Sequence, residues 1–476
     1  MFIGRKQELQ DLEALYARKD YEMVVIYGRR RVGKTSLIDE FVRGKQVLYV
    51  TALQQSSKLN LELFSQEVYR CFGIPEGTPG FADWRSALNY VVARAREVKA
   101  GTRKPFIFVF DEFPYAAQAE PALPSLLQIA IDHGFKNTPV MIILSGSNQG
   151  FMESEVLGSK SPLFGRRTAQ IKLQPFDYYD AAQFLPKATA TEKVEYYATF
   201  GGTPYYLERI DSAKSYRENV IDLVYSKLGM LSEEPMMLLR EEMREPAIYY
   251  SAMQAIAAGS NTPKLIAERA GLEVSAIGKY LKSLMGLGLV KRLVPFGENP
   301  IKTRKSLYVV GDPFFAYWFR FVAPKASIIE TGGGAALAKS SAFGEVFATY
   351  VGGQFEDVCR QWLVRKNVAE ELPFVATGFG KWWGNDPAAH EQTDIDVVAA
   401  NDDEKRIIIG ECKWRNSFNE TEAIDKLKAR AGLVKGFPVD RTGFILFSKN
   451  RVSKPTLEHY RNDERMSLIA ADDLYC

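Results

Sequence analysis

The chain has 476 residues, 46% hydrophobic and 25% charged, an ordinary globular composition long enough for three or four domains of roughly 100–200 residues. Its net charge of +3 is too small to announce a nucleic-acid partner by itself, so any such case must come from where the charge lies. Four cysteines (Cys71, Cys359, Cys412, Cys476) without a C-x-x-C pair and only three histidines (His133, His390, His459) argue against a zinc site, and no apolar run reaches the length of a membrane span.

The opening Met1-Phe2-Ile3-Gly4-Arg5-Lys6 runs straight into charge and is not expected to be a signal peptide; with its scattered reduced thiols, the chain reads as cytoplasmic. Leu9, Leu12 and Leu15 fall on one face of a helix ending near Tyr16. Val24 to Ser36, V-V-I-Y-G-R-R-R-V-G-K-T-S, then sets a short buried strand before a glycine-rich loop, and Leu37, Ile38 and Phe41 resume at helical spacing. The loop Gly28, Arg29, Arg30, Arg31, Val32, Gly33, followed by Lys34, Thr35 and Ser36, has the G-x-x-x-x-G-K-[ST] pattern of a P-loop at a strand-to-helix junction. The chemistry needs this order. Gly28 and Gly33 let backbone N–H groups approach phosphate oxygens, and the helix N-terminus adds favourable partial charge. Lys34 is expected on the β- and γ-phosphates of ATP, and the Thr35 hydroxyl on Mg²⁺.

Val47 to Val50 reads as a second strand, and Leu59 to Cys71 and Trp84 to Val98 as amphipathic helices. Phe106 to Phe110 is continuously apolar, which suits a parallel strand buried on both faces. Asp111 and Glu112 follow it, at the carboxyl end where ligands of such sheets bind. Asp111 is expected to hold Mg²⁺ through its water shell and Glu112 to polarise the attacking water. Val140 to Leu144 is the next buried strand and ends in S-G-S-N, where Ser147 or Asn148 either senses the γ-phosphate or caps a helix. Arg166, in L-F-G-R-R before the strand-like Ala169 to Leu173, is placed to neutralise transition-state charge from its own subunit or, in a homo-oligomer, from a neighbour's.

Phe2-Ile3-Gly4-Arg5 with Glu8-Leu9, the P-loop, Asp111-Glu112, the S-G-S-N turn and Gly201-Gly202-Thr203-Pro204-Tyr205-Tyr206-Leu207 come in the order found in archaeal-type P-loop ATPases related to the AAA+ and STAND classes. The stretch from Met1 to about Arg240 resembles that family along its length. The resemblance implies that the N-terminal box lies on the adenine side and that Pro204 packs near the adenine.

From Pro246 to Val322 the character changes. Ile248 to Ala258, Pro263 to Ala270 and Val274 to Leu287 read as three helices, and Leu289 to Pro295 with Ser306 to Val310 as a hairpin tipped by Lys302, Arg304 and Lys305. Three helices and a β-wing make a winged helix, with Ser275, Lys279 and Lys282 on its recognition helix. This segment carries ten Lys/Arg against four Asp/Glu, a net of +6 where the whole chain has +3, so basic charge is concentrated where DNA phosphates would lie. Thr331-Gly332-Gly333-Gly334-Ala335-Ala336 reads as linker.

Beyond it, Phe343 to Val364 reads as one or two helices broken near Gly352-Gly353 and carrying Glu356. Thr393 to Ala399 (T-D-I-D-V-V-A) and Ile407 to Trp414 (I-I-I-G-E-C-K-W) read as strands. Alternate residues share a face, which groups Asp394 with Asp396 and Glu411 with Lys413 and turns Cys412 into the packing. Such a set can hold Mg²⁺ with oxygen ligands and leaves an ammonium to orient or deprotonate water. It resembles the PD-(D/E)XK restriction-endonuclease-like fold. That resemblance puts Asp396, Glu411 and Lys413 in the core motif and Glu356 as the preceding-helix acid; D-I-D stands in place of Pro-Asp, so either Asp394 or Asp396 fills that position.

The expected architecture is α/β: a P-loop ATPase core with a parallel sheet (1–185), a helical lid (186–245), a winged helix (246–322), a linker (323–339) and a restriction-endonuclease-like domain (340–476). The expected function is ATP hydrolysis acting on DNA, with nucleotide state gating a metal-dependent nuclease-like domain. The other reading is a nucleotide-switched module that docks DNA or a protein through a catalytically inactive nuclease-like domain.

Overall fold

In the computed structural model, which describes residues 2–75, 77–101, 105–341, 343–387 and 389–476, the apolar run after Tyr21 becomes strand β1 (Glu22–Tyr27), buried along its whole length. Met1, with which the N-terminal reading opens, lies outside the described residues. Four more strands, β2 (Val47–Thr51), β3 (Phe106–Asp111), β4 (Val140–Gly146) and β5 (Ala169–Lys172), join β1 in an all-parallel sheet of order β2-β3-β4-β1-β5. Alternation along each strand feeds two cores. Val24, Ile26, Ile107, Val109, Met141 and Ile143 pack under the P-loop helix Lys34–Val42, while Met23, Val25, Phe108, Phe110, Ile142 and Leu144 pack on the other face.

The chain forms two compact units, Met1–Pro175 and Phe176–Cys476. Segment 176–185, expected with the ATPase core, therefore goes with the second unit. Within that unit lie three helices, Pro246–Ala257, Pro263–Ala270 and Val274–Gly286, followed by the antiparallel pair β6 (Val290–Leu293) and β7 (Leu307–Val310). Further along is a mixed sheet of order β12-β11-β10-β9-β8, built from β8 (Gly378–Asp386), β9 (Glu391–Asn401), β10 (Arg406–Lys413), β11 (Thr442–Ser448) and β12 (Met466–Ala470). β8, β9 and β10 run antiparallel, and β10, β11 and β12 run parallel.

Two expectations are corrected. The glycine-rich stretch is not a linker: it holds the helices Ala326–Glu330 and Gly334–Ser341, with Ile329 and Ala338 buried in the main core of the unit. Its small residues serve close approach, since a Cβ at Gly334 would lie 1.8 Å from the Tyr225 carbonyl oxygen. The helix expected to break at Gly352-Gly353 runs unbroken from Glu345 to Val368, because Phe347, Tyr350, Val351, Phe355, Val358, Cys359, Trp362 and Leu363 are buried along it and outweigh two glycines at about 1 kcal/mol each. Among the described residues no helix is long and apolar enough to cross a membrane.

These placements predict opposite signs for two glycine substitutions. Gly334→Ala should destabilise the chain by roughly 1–3 kcal/mol through its clash with backbone, whereas Gly353→Ala, which meets nothing within 4 Å, should stabilise it by up to about 1 kcal/mol. Equilibrium denaturant unfolding reads both, and a neutral Gly334→Ala would restore the linker.

Candidate functional site

At the carboxyl end of β1 the chain has no room for a side chain. A Cβ at Gly28 would lie 2.4 Å from the carbonyl oxygen of Leu173, just past β5. The loop turns through Arg31 (φ 72°) and Gly33 (φ 87°), both left-handed, and enters the helix at Lys34. Arg5, from the N-terminal box, donates to the Val32 carbonyl at 3.0 Å and the Gln174 carbonyl at 2.6 Å, tying the loop to the end of the sheet. Arg30 donates to the Tyr115 hydroxyl at 2.6 Å; Arg29 is buried, and Thr35 and Ser36 are exposed at the helix start. Lys34 folds back onto the loop, its Nζ donating to the carbonyls of Gly28 (2.9 Å) and Arg29 (3.1 Å).

Asp111 closes the site from β3. Its Oδ2 accepts from the Thr35 hydroxyl at 3.2 Å and the Tyr49 hydroxyl at 3.4 Å, and its Oδ1 accepts from the Glu112 N–H at 3.0 Å. Glu112 has φ 49°, so the chain turns sharply as it leaves the strand. That turn brings its Oε2 to the end of β4, where the Ser147 hydroxyl donates at 2.9 Å and the Ser147 N–H at 3.2 Å. The S-G-S-N alternatives thus divide between two residues. Ser147 faces Glu112, and Asn148 caps the next helix by accepting from the Phe151 N–H. Thr35 and Asp111 present hard oxygen donors 3.2 Å apart at the mouth of the loop, a donor set that fits Mg²⁺.

Arg166 lies elsewhere in this unit. It precedes β5, its carbonyl accepts from the Tyr21 hydroxyl at 3.1 Å, and Tyr21 stands before the first residue of β1. It therefore sits at the amino ends of the strands, about 20 Å of strand away from the P-loop at roughly 3.3 Å per residue. Its guanidinium donates to Asp132 at 2.8 Å. The expectation that Arg166 serves its own subunit is corrected, and the version left is supply by a neighbouring copy. Pro204 starts the short helix Pro204–Leu207 in the second unit and is buried there.

The second unit gathers Glu356, Asp394 and Asp396 around a residue absent from the sequence expectation. Lys381, on β8, places Nζ 2.8 Å from Glu356, 3.1 Å from Asp394 and 3.4 Å from Asp396. A bulge aims it: Gly380 pairs with Val398 and Trp382 with Ile395, so Asp396 and Val397 together face Lys381. Asp396 also accepts from the Cys412 N–H at 2.9 Å. Glu411 is held separately, by Lys413 and by Arg430 at 2.6 Å. Burial, then the charge of Asp396, pushes the Glu356 carboxyl up to about 7; burial and the Glu411 charge likewise raise Asp396. Burial works against the Lys381 ammonium, but Glu356 and Asp396 outweigh it and hold its pKa above the ordinary value. Among the described residues no group of three or more His, Cys, Asp or Glu side chains is arranged to hold a metal ion. Each carboxylate of the expected metal set Glu356, Asp396 and Glu411 faces a cation of the chain itself, Lys381 for the first two and Lys413 with Arg430 for the third. Sequence reading missed Lys381 because G-F-G-K-W-W-G-N-D does not alternate cleanly; its only strand signal is its aromatic content. The cluster opens on a cleft of about 890 Å³ whose other wall includes Lys291, Arg292 and Tyr308 of the β6–β7 pair.

A family model described as an ATPase domain predominantly from Archaea matches residues 2–210, and a second, described as Archaea bacterial proteins of unknown function, matches residues 318–424. An uncharacterized protein of Methanocaldococcus jannaschii is 32% identical over 419 residues, 87% of this chain and 88% of that protein. An uncharacterized ATP-binding protein of the same organism is 45% identical over 47 residues, 10% of this chain and 80% of that protein. Among solved structures, a Walker-type ATPase of Pyrococcus abyssi is similar with a TM-score of 0.47 and 20% identity, over 67% of this chain and 96% of that one.

Hydrogen bonds from Arg166 and then Lys136 hold Asp132 down at about 2. A lowered carboxylate pKa contributes stability that is complete above the unfolded value of about 4 and is lost as pH falls toward about 2. Arg166→Ala should shrink that acid-side loss, cost roughly 1 kcal/mol and leave nucleotide affinity unchanged. Unfolding between about pH 2 and 5 and calorimetric nucleotide titration check the two halves. A large fall in affinity would put Arg166 back at its own subunit's site.

Proposed function

The chain belongs to the archaeal ATPase family whose domain model covers residues 2–210, and on that premise we propose that it binds and hydrolyses ATP in its first unit and uses the nucleotide state to switch a DNA-docking second unit. The observation that carries this reading is the hydrogen-bonded series Thr35–Asp111–Glu112–Ser147 along the carboxyl edge of the parallel sheet. Lys34 exchanges the carbonyls of Gly28 and Arg29 for phosphate oxygens, a favourable trade because bonds to charged acceptors are stronger. Thr35 and Asp111 would hold Mg²⁺, which would supply positive charge against the β- and γ-phosphates. Glu112 orients the attacking water, and the Ser147 hydroxyl fixes its carboxylate for that task.

Contact with DNA is supported by the segment from Pro246 to Val322, in which three helices and an antiparallel pair follow one another as in a winged helix. Ser275, Lys279 and Lys282 are exposed on the third helix, and Lys302 and Arg304 are exposed between β6 and β7. The mixed sheet behind its long helix is the nuclease-like part of this reading. Docking is favoured over cutting there because Lys381, Lys413 and Arg430 already neutralise the carboxylates that a metal mechanism would need.

Lys34→Ala should abolish nucleotide binding, and Glu112→Gln should keep binding while stopping turnover; calorimetry and phosphate release read these. Replacing Lys279, Lys282, Lys302 and Arg304 with Ala should weaken binding to all duplex sequences alike and flatten the slope of log affinity against log salt by up to about 3–4. With Mg²⁺ or Mn²⁺, and with or without ATP, wild type should cut DNA no faster than the Asp396→Ala/Glu411→Ala/Lys413→Ala variant. Faster cutting by wild type would replace docking with a gated nuclease.

A further inference from the structure

The strongest unassigned feature of the molecule is the position of Lys381. Its ammonium has three N–H donors, and three carboxylates stand within 3.4 Å of it. They come from two elements, Glu356 from the long helix and Asp394 and Asp396 from β9, while Lys381 itself enters from β8. We infer that Lys381 is a built-in counter-cation that takes the place of a metal ion in this cluster, so the wild-type site binds no divalent cation and removing the ammonium creates one that does.

Charge and geometry both lead there. Glu356, Asp394 and Asp396 share the Lys381 ammonium, while Glu411 is met by Lys413 and Arg430. Without Lys381 the three carboxylates lose the cation they share, and a divalent ion can take its place. Lys381 is held by construction rather than by chance contact. The bulge sets two β9 residues against it, its carbonyl accepts from the Phe296 N–H at 2.8 Å, and Asp396 is pinned to β10 through the Cys412 N–H. A metal ion approaching the cluster would have to expel a half-buried ammonium from three carboxylate partners, and leaving the least exposed of them, Asp396, unpaired is unfavourable. The N–O separations of 2.8–3.4 Å also exceed the roughly 2.0–2.1 Å that Mg²⁺ requires and lie nearer the 2.3–2.6 Å of larger, more tolerant ions. The vacated site should therefore prefer large ions. This inference rests on the docking reading of the second unit, but its test reads neither ATP turnover nor DNA.

The experiment uses the full chain without nucleotide, titrated with Tb³⁺ and followed by luminescence sensitised through Trp383, which lines the same cleft. Wild type and the charge-keeping Lys381→Arg should show no emission that depends on Asp396. Lys381→Met should gain one site, and adding Asp396→Asn should weaken it at least tenfold. Mn²⁺ and Ca²⁺ should compete with Tb³⁺ there better than Mg²⁺. Should Lys381→Met fail to fold by circular dichroism, Lys381→Gln takes its place. The inference is overturned if wild type binds Tb³⁺ as tightly as Lys381→Met and loses it with Asp396→Asn, or if the folded neutral variants gain no site.

Discussion

The nucleotide half depends on the buried carboxylate of Asp111. At 3% exposure it cannot be solvated, and a buried carboxylate without partners costs several kcal/mol. Both oxygens are therefore engaged, one by the Glu112 backbone and the other by the hydroxyls of Thr35 and Tyr49. That requirement brings the end of β3 to the first turn of the P-loop helix, although β4 lies between β3 and β1 in the sheet. It also accounts for the backbone of Glu112. A left-handed φ at a non-glycine residue costs about 1–2 kcal/mol, and here it turns the Glu112 carboxylate toward β4, where two bonds from Ser147 offset the strain. The carboxylates of Asp111 and Glu112 and the Ser147 hydroxyl are thus placed by where parallel strands stop.

The second unit meets the same electrostatic demand differently. Its acids are also partly buried and close together, but their charge is met by Lys381, Lys413 and Arg430 from the chain itself. In the first unit the P-loop lysine donates to the carbonyls of Gly28 and Arg29, which a phosphate can displace. In the second the lysine faces carboxylates, and displacing it would leave partly buried charges unpaired.

The β6–β7 pair is fastened to this neutralised region. Phe296 packs on the face left open by Gly378 and Gly380, where an added Cβ would lie 3.1 Å from its ring, and its N–H bonds the edge strand β8 at Lys381. Lys291 adds an ion pair to Asp357 on the long helix. The basic hairpin and the mixed sheet therefore share one cleft, linked by the Phe296 hydrogen bond and ring and by the Lys291–Asp357 ion pair.

The P-loop, both buried strands beside it, the pair Asp111-Glu112 and the three helices with their hairpin were all legible in the sequence, because each is a local pattern: glycine spacing, unbroken apolarity or a helical period. The glycine-rich stretch and the Gly352-Gly353 pair misled for the complementary reason. Composition gives a glycine's cost to a helix and not the close contacts or buried neighbours that offset it. By itself the sequence determined which residues carry charge and placed Asp111, Asp394, Asp396, Glu411 and Lys413 on or at the end of their strands, since that depends on neighbours a few positions away. Only the tertiary structure decided that Arg166 lies at the far end of the sheet from the P-loop, that Ser147 and not Asn148 meets Glu112, and that Lys381 fills the acid cluster. Those outcomes depend on strand order and on a single bulge in register, and a side chain's electrostatic partners are fixed by distances of a few ångströms between segments remote in the chain.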